Sequence, residues 1–130
     1  MKIIDETLLD ELTESAKQNP RLRMNMNLHN SLEDRVQRLL NALEPGTNLP
    51  IHRHLHSDET YMLIRGSLKL LIYNDLKEIT EVFELSAAVG KYGVSIPMGT
   101  WHSIEVLESG TVIFEVKEGP YAPLSTDDIL

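Results

Sequence analysis

The sequence predicts a single all-β domain, a sandwich or barrel, preceded by one short helix. Its 130 residues suit one domain. Short apolar runs recur along the chain, and Gly, Pro, Asn or Asp residues separate them. Short strands with turn residues at such intervals are typical of β-sandwiches and β-barrels. The runs are residues 60–64, 68–73, 79–85, 94–96, 103–107 and 111–116.

The N-terminal segment predicts an acidic amphipathic helix over residues 4–18. Apolar residues recur there at every fourth position, which places them on one stripe of a helix. They are Ile4, Leu8, Leu12 and Ala16. We therefore expect three parts, a helical segment over 1–19, a barrel over 20–118 and a tail over 119–130.

Composition excludes several classes of function. The formal net charge is −8, which argues against sequence-independent binding to nucleic acid. Part of the acid excess is peripheral, because residues 5–17 carry five acids and one lysine. The absence of cysteine excludes disulfides, iron–sulfur clusters and thiolate zinc sites. No apolar run approaches the roughly 20 residues of a membrane span, and no signal peptide is evident, so we expect a cytoplasmic protein.

Residues 21–29 predict a strand, because apolar and polar residues alternate strictly. Its polar face carries arginines, asparagines and a histidine. These side chains could make hydrogen bonds to a ligand or a partner, or they could form the solvated face of an edge strand. The next segment, 31–43, is ambiguous. Leu32, Val36, Leu39 and Leu43 follow helical spacing, whereas 36–43 also reads as a strand.

Histidines are concentrated in one short stretch, His52, His54 and His56. In an extended chain the first two point the same way. Glu59 follows a turn, and His102 follows the turn 97–101, so one carboxylate and three imidazoles can converge. Such a site with open positions suits Fe, Mn, Ni, Co or Zn as divalent ions. His56 has the same parity and is the substitute if one of the four is not a ligand.

The spacing of these residues resembles the first cupin motif from Gly46 to Gly66. Within it His52-Arg53-His54 precede Glu59 by the interval that the motif requires. The stretch 97–102, Pro-Met-Gly-Thr-Trp-His, resembles the second cupin motif, which departs here at Lys91 and Val106. The resemblance implies a double-stranded β-helix (cupin) barrel of RmlC-like jelly-roll type. It also implies that His52, His54, Glu59 and His102 bind the metal.

A narrower resemblance covers about residues 20–120. The pattern R-x-N-x-N-x-H, then V-Q-R and E-P-G-T before H-R-H, is similar to the WbuC family of cupin-fold metalloproteins. These are small bacterial proteins often encoded with O-antigen polysaccharide genes. The resemblance implies that 36–43 is a barrel strand, against its helical spacing, and it supplies no reaction.

Strand parity selects further candidates for a pocket. If Glu59 faces inward, Tyr61, Leu63 and Arg65 share its side. We consider Tyr61 and His29 as catalytic acid–base candidates, although a core tyrosine is an alternative for Tyr61. The residues considered for substrate binding are Arg23, Asn25, Asn27 and Trp101, whose ring suits stacking on a sugar.

These features favour a metal-dependent enzyme acting on a sugar or related small molecule, isomerase- or epimerase-like, in surface-polysaccharide (O-antigen) metabolism. The alternatives are a non-catalytic, metal-dependent ligand-binding module and an Fe(II) dioxygenase. A homodimer is expected, because cupins commonly dimerise and the strand at 21–29 and the first helix offer contact surfaces.

Overall fold

The computed structural model describes all 130 residues, and it contains one α-helix and eight β-strands. Helix α1 spans Glu6–Gln18. The strands are β1 Arg23–Asn27, β2 Val36–Leu43, β3 Glu59–Arg65, β4 Ser67–Tyr73, β5 Ile79–Ser86, β6 Gly93–Ile96, β7 Trp101–Val106 and β8 Thr111–Glu118. Two 3₁₀ turns lie at Ala87–Val89 and Thr126–Asp128. The all-β class with one short helix is thereby confirmed.

The strands form two antiparallel sheets. The larger has the order β1-β2-β8-β3-β6, and the smaller has the order β5-β4-β7. A buried apolar core connects side chains of both sheets, with Leu43 and Ile113 from the larger and Leu70 and Ile104 from the smaller. Glu59, the first residue of β3, and His102, the second residue of β7, lie in the space between the sheets.

Strand β2 resolves the ambiguity of segment 31–43. Residues 36–43 form a strand, as the cupin resemblance implies, and the helical spacing is misleading. The cause is burial on both faces. Leu39 and Leu43 are buried on the side facing the smaller sheet, while Leu40 and Ala42 are buried beneath α1. A strand covered on both faces loses the alternation that identifies strands in a sequence.

Helix α1 packs on the outer face of the larger sheet. Asp5 caps it, because the Leu8 N–H donates to Asp5 Oδ1 at 2.9 Å. Its buried residues are Leu9, Leu12, Thr13 and Ala16. The predicted stripe is therefore partly wrong, because Ile4 precedes the helix and is 44% exposed. No helix in the structure combines the length and apolar character that crossing a bilayer requires.

Strand β1 is shorter than the predicted 21–29. Met24 and Met26 pack against the cluster beneath α1. Because neighbouring residues of a strand point to opposite faces, Arg23, Asn25 and Asn27 lie on the barrel side of the sheet. The register agrees, since Asn25 is opposite Asn41 of β2.

Arg65 departs from the parity expected of β3. The register shifts between Leu63 and Arg65, so that Arg65 lies opposite Val112 of the cluster beneath α1. This irregularity turns the side chain outward. Its guanidinium then donates to Glu6 and Asp10, both at 2.8 Å, and to Thr13 at 3.0 Å. The expectation that Arg65 faces the pocket is wrong, and the residue instead holds α1 on the sheet.

Replacing Arg65 with methionine is expected to lower the free energy of unfolding by about 2 kcal/mol, because several charge-assisted hydrogen bonds are lost. The loss is not larger, because the two acids that Arg65 contacts are exposed to solvent. Urea unfolding measures the difference. Arg21→Met is the matched control, since Arg21 is exposed and its side chain makes no hydrogen bond. Equal stability of the two variants would contradict this role.

Candidate metal centre

Four side chains of the predicted site converge in the structure. One ligand atom from each of His52, His54, Glu59 and His102 lies within 4.8 Å of the others. Glu59 is 4% exposed and His102 is 1% exposed, so the centre is at the floor of the space between the sheets. Three nitrogen donors and a carboxylate form a donor set that first-row divalent metals accept.

Backbone pairing brings the four residues together. The His52 N–H donates to the His102 carbonyl at 3.1 Å, and the His102 N–H donates to the His52 carbonyl at 2.9 Å. The Gly99 N–H donates to the His54 carbonyl at 2.7 Å, which ties the loop to the turn before β7. Gly99 has a φ of +81°, a conformation that glycine adopts without strain. Glu59 is supplied from the larger sheet as the first residue of β3.

The hydrogen bonds of two imidazoles prepare them for a metal. The Nδ1 of His52 lies 2.9 Å from the Pro50 carbonyl, and the Nδ1 of His102 lies 2.9 Å from the Thr100 carbonyl. A carbonyl can only accept, so each Nδ1 carries a proton, which makes the Nε2 of each ring the atom available to a metal. Metal-binding histidines characteristically make such bonds, which orient the ring and select the tautomer. The residues therefore fit a divalent metal ion.

The charges at the centre also favour a metal. Burial alone would raise the pKa of Glu59, but its contacts with His102 and His54 lower that pKa below its usual range. Its Oε1 lies 3.2 Å from the His54 Nε2 and 3.3 Å from the His102 Nε2. Burial and the neighbouring His102 lower the pKa of His52 to about 4. At neutral pH the site thus offers an ionised carboxylate and a neutral His52 imidazole, which are the ligand forms that bind metals.

Tyr61 contacts the same group. Its hydroxyl donates to Glu59 Oε1 at 3.2 Å and lies 3.4 Å from the His102 Nε2. The side chain is 4% exposed, and burial together with the negative charge of Glu59 raises its pKa well above the usual value. Tyr61 therefore holds a neutral hydroxyl beside the candidate metal ligands, while its ring is part of the core.

Two residues that sequence reasoning missed lie on the same inner face. Glu115 of β8 is opposite Tyr61, and Lys117 is opposite Glu59. Directly opposed residues of antiparallel strands share a face, with Cβ atoms about 5 Å apart. Burial and the charge of Glu59 raise the pKa of Glu115 to about 7. The only sequence feature that could have pointed to these two residues is that they are charged and two positions apart in an otherwise apolar strand.

Trp101 does not line this pocket. It precedes His102 in β7 and points to the other face of the sheet. The side chain is 7% exposed, its indole N–H donates to Asp75 at 2.8 Å, and the Arg53 guanidinium lies 4.2 Å from the ring centre. The expectation that its ring stacks on a sugar is wrong, because the ring is already covered.

The polar residues of β1 lie on the inner face but far from the cluster. Three strand spacings separate β1 from β3, about 14 Å along the sheet. Asn25 and Asn27 are exposed there. The Arg23 guanidinium donates to the Asn48 carbonyl at 3.1 Å and approaches Thr47 at 3.4 Å. This strand can line the opening of the space between the sheets, but it does not reach the candidate ligands.

The two remaining histidines are not part of the cluster. His29 is 8% exposed, and its Nδ1 accepts from the Arg38 N–H at 3.0 Å. The same Nδ1 also lies 3.0 Å from the Arg38 carbonyl, and the Nε2 is buried and has no partner within the chain. His56, the substitute ligand, is exposed in the loop after His54.

The raised pKa of Glu115 predicts a pH-dependent cost to stability in the metal-free protein. The unfolded carboxyl ionises near 4.5 and the folded one near 7, so the folded state binds the proton more tightly. Stability from this group falls as pH rises between these values, and the full cost, about 3 kcal/mol, is present above pH 7. Glu115→Gln should therefore gain stability over the unmodified protein between pH 4.5 and pH 8.

Urea unfolding at several pH values, with a chelator present, measures this gain. Glu81→Gln is the control, because Glu81 is exposed on β5. A difference between Glu115→Gln and the unmodified protein that stays constant with pH would refute the assignment.

Solved structures with similar folds include several cupins. KdgF from Halomonas sp. has a TM-score of 0.61 at 15% identity, over 80% of this chain and 84% of that chain. A cupin superfamily protein from Desulfitobacterium hafniense has a TM-score of 0.57 at 18% identity, over 74% and 76% of the two chains. A proposed sugar phosphate isomerase from Acidithiobacillus ferrooxidans has a TM-score of 0.56 at 19% identity, over 78% and 63%.

These similarities show the fold, which is the cupin barrel, and at such low identity they show nothing more. Among curated proteins, none matches the sequence. One family model matches residues 4–85, which is more than half of the chain and includes α1, β1–β4, all but the last residue of β5 and three of the four candidate ligands. The chain therefore belongs to the family described as a domain of unknown function, DUF6016.

Proposed function

We propose that this protein is a metal-dependent enzyme that acts on a sugar or related small molecule between its two sheets. The observation that carries the proposal is the convergence of four ligand atoms within 4.8 Å from three separate chain segments. His52, His54, Glu59 and His102 would hold one divalent metal ion, Fe, Mn, Ni, Co or Zn. When bound, such an ion polarises a carbonyl or lowers the pKa of a bound water.

Two further residues support chemistry at this centre. The Tyr61 hydroxyl is neutral and within hydrogen-bond reach of Glu59, so it can donate a proton or a hydrogen bond to a bound oxygen. Glu115, opposite Tyr61 on the same inner face, is a carboxyl that can take up and return a proton. Isomerisation or epimerisation of a sugar needs one group that donates to an oxygen of the substrate and one group that exchanges a proton with it. The similar fold of a proposed sugar phosphate isomerase agrees with this substrate class.

The biological setting follows from the resemblance to WbuC proteins. We infer a cytoplasmic role in the metabolism of a bacterial surface polysaccharide such as O-antigen. A homodimer is part of the proposal, and its support is that β1 is an edge strand of the larger sheet, with unpaired backbone groups along its free side. Gel filtration tests it, and a monomer at micromolar concentration would contradict it.

We expect the purified protein to bind one divalent metal ion per chain. His54→Ala should weaken metal binding by more than about 100-fold, since losing even an outer partner of a ligand costs roughly 10–100-fold. His56→Ala should leave the affinity unchanged. The two residues lie in the same loop, so the pair separates ligation from loop disruption.

Competition with a chelator, followed by metal analysis, gives both affinities. Unchanged affinity in His54→Ala, or an equal loss in both variants, would contradict the ligand assignment. A loss confined to His56→Ala would make His56 the ligand.

We expect metal-dependent turnover of at least one compound in a panel of sugar phosphates and nucleotide sugars. Chelation should abolish it. Tyr61→Phe should lower kcat by about 100-fold or more with unchanged metal content, because general acid–base groups typically contribute 10²–10⁴-fold.

Product analysis by mass spectrometry and NMR measures this turnover. Identical turnover with and without metal would disprove the mechanism. Thermal stabilisation by panel compounds without product would instead identify a metal-dependent binding module. Oxygen consumption that requires iron would identify an Fe(II) dioxygenase.

A further inference from the structure

A cavity of about 540 Å³ opens beside the candidate metal centre. Residues 53–57 of the histidine loop form one side, and residues 119–125 of the C-terminal tail form the other. His54 and Lys117 lie in its wall, so the cavity reaches the metal-binding cluster. Its volume is typical of sites that bind small molecules.

The tail is held over this cavity by backbone hydrogen bonds. The Arg53 N–H donates to the Asp128 carbonyl at 3.1 Å, and the Leu130 N–H donates to the Ile51 carbonyl at 2.9 Å. The Tyr121 N–H donates to the Leu32 carbonyl at 2.7 Å. The tail is thus a built wall of the cavity, and it presents Ala122, Pro123 and Leu124 to the interior.

Lys117 is the cation of this cavity that has no partner. It is partly buried, it makes no hydrogen bond through its ammonium, and no carboxylate lies within 4.0 Å of it. Of the other charged groups that line the cavity, Arg53 is paired with Asp128 at 3.3 Å, and Glu118 is exposed to solvent. The carboxyl of Glu115, two residues before it in β8, acts on Lys117 beyond ion-pair distance, and the ammonium is free to pair with an anion from outside the chain.

The local charge favours an anion although the chain as a whole is acidic. A divalent metal bound by three neutral imidazoles and Glu59 leaves a net charge of about +1, and Lys117 raises it to about +2. Glu115 shares the inner face opposite Tyr61, and its carboxylate would reduce this local charge to about +1, which is still positive. Attraction between groups a few ångströms apart in a partly buried site is strong and weakly screened.

We propose that the cavity binds the oxyanion group of a small molecule, a carboxylate or a phosphate, and that Lys117 pairs with that group beside the metal. This inference rests on the proposed metal site and specifies its ligand class. The oxyanion lies between Lys117 and the metal, while the carbon body of the molecule packs against the apolar part of the tail. Lys117 is a binding and specificity residue, and it is not a metal ligand.

Matched ligands and variants test the inference on the Co(II)-loaded full chain, with metal content measured first. Glucuronate and inorganic phosphate are the oxyanion probes, and glucose is the neutral match of glucuronate. We expect at least one oxyanion to bind more tightly than glucose and to change the visible spectrum of the cobalt. Lys117→Met should weaken that binding about tenfold or more, whereas Lys117→Arg should keep most of it.

Lys2→Met is the charge control, because Lys2 is exposed at the N-terminus and its loss changes the net charge equally. Lys117→Gln serves as a second neutral variant if Lys117→Met does not fold. Whichever oxyanion responds to Lys117 identifies the ligand as a carboxylate or a phosphate.

The outcomes separate the two proposals. Failure of the unmodified protein to bind metal overturns the metal function and, with it, this inference. Full metal content with no preference for either oxyanion over glucose, or with equal oxyanion affinity in the unmodified protein and Lys117→Met, overturns the anion site alone.

Discussion

The carboxylate of Glu59 is the group around which the candidate site is organised. It is almost fully buried, yet it accepts the Tyr61 hydroxyl and lies against the Nε2 atoms of His54 and His102. A buried anion is stable only with such partners, because the interior cannot solvate it as water does. The fold therefore has to hold two histidine-bearing segments over the start of β3, and the mutual backbone bonds of His52 and His102 do this.

The second constraint is that the larger sheet is buried on both faces where α1 packs on it. The smaller sheet covers its inner face, where the candidate site lies, and α1 covers part of its outer face with Leu9, Leu12 and Ala16. Strand β3 contributes to both faces. It begins with Glu59, which points inward to the candidate site, and it ends with Arg65, which points outward after a register shift and binds α1.

The charge near the site is opposite in sign to the net charge of the whole chain. The net charge of −8 comes from an excess of acids, four of them on α1, whereas the cavity beside His54 contains a lysine that makes no salt bridge. Charges a few ångströms from a ligand act on it strongly, whereas distant surface charges are screened by salt, so the net charge of the chain does not decide what the cavity binds. The acidic surface still disfavours nucleic acid, so the anion expected in the cavity is a small molecule.

The sequence by itself determined the all-β class, the short helix and the four residues that converge, because turn residues and the spacing of His52, His54 and Glu59 are local properties. Tertiary structure alone decided which residues surround them. The structure places Trp101 on the outer face of its sheet, where it is covered, and it turns Arg65 outward. Neither could be predicted, because a β-bulge and a guanidinium stacked on a ring do not alter the periodicity of the sequence. Glu115 and Lys117 entered the site because β8 pairs with β3 across about fifty residues of chain, and register between distant strands is set by packing of the whole barrel.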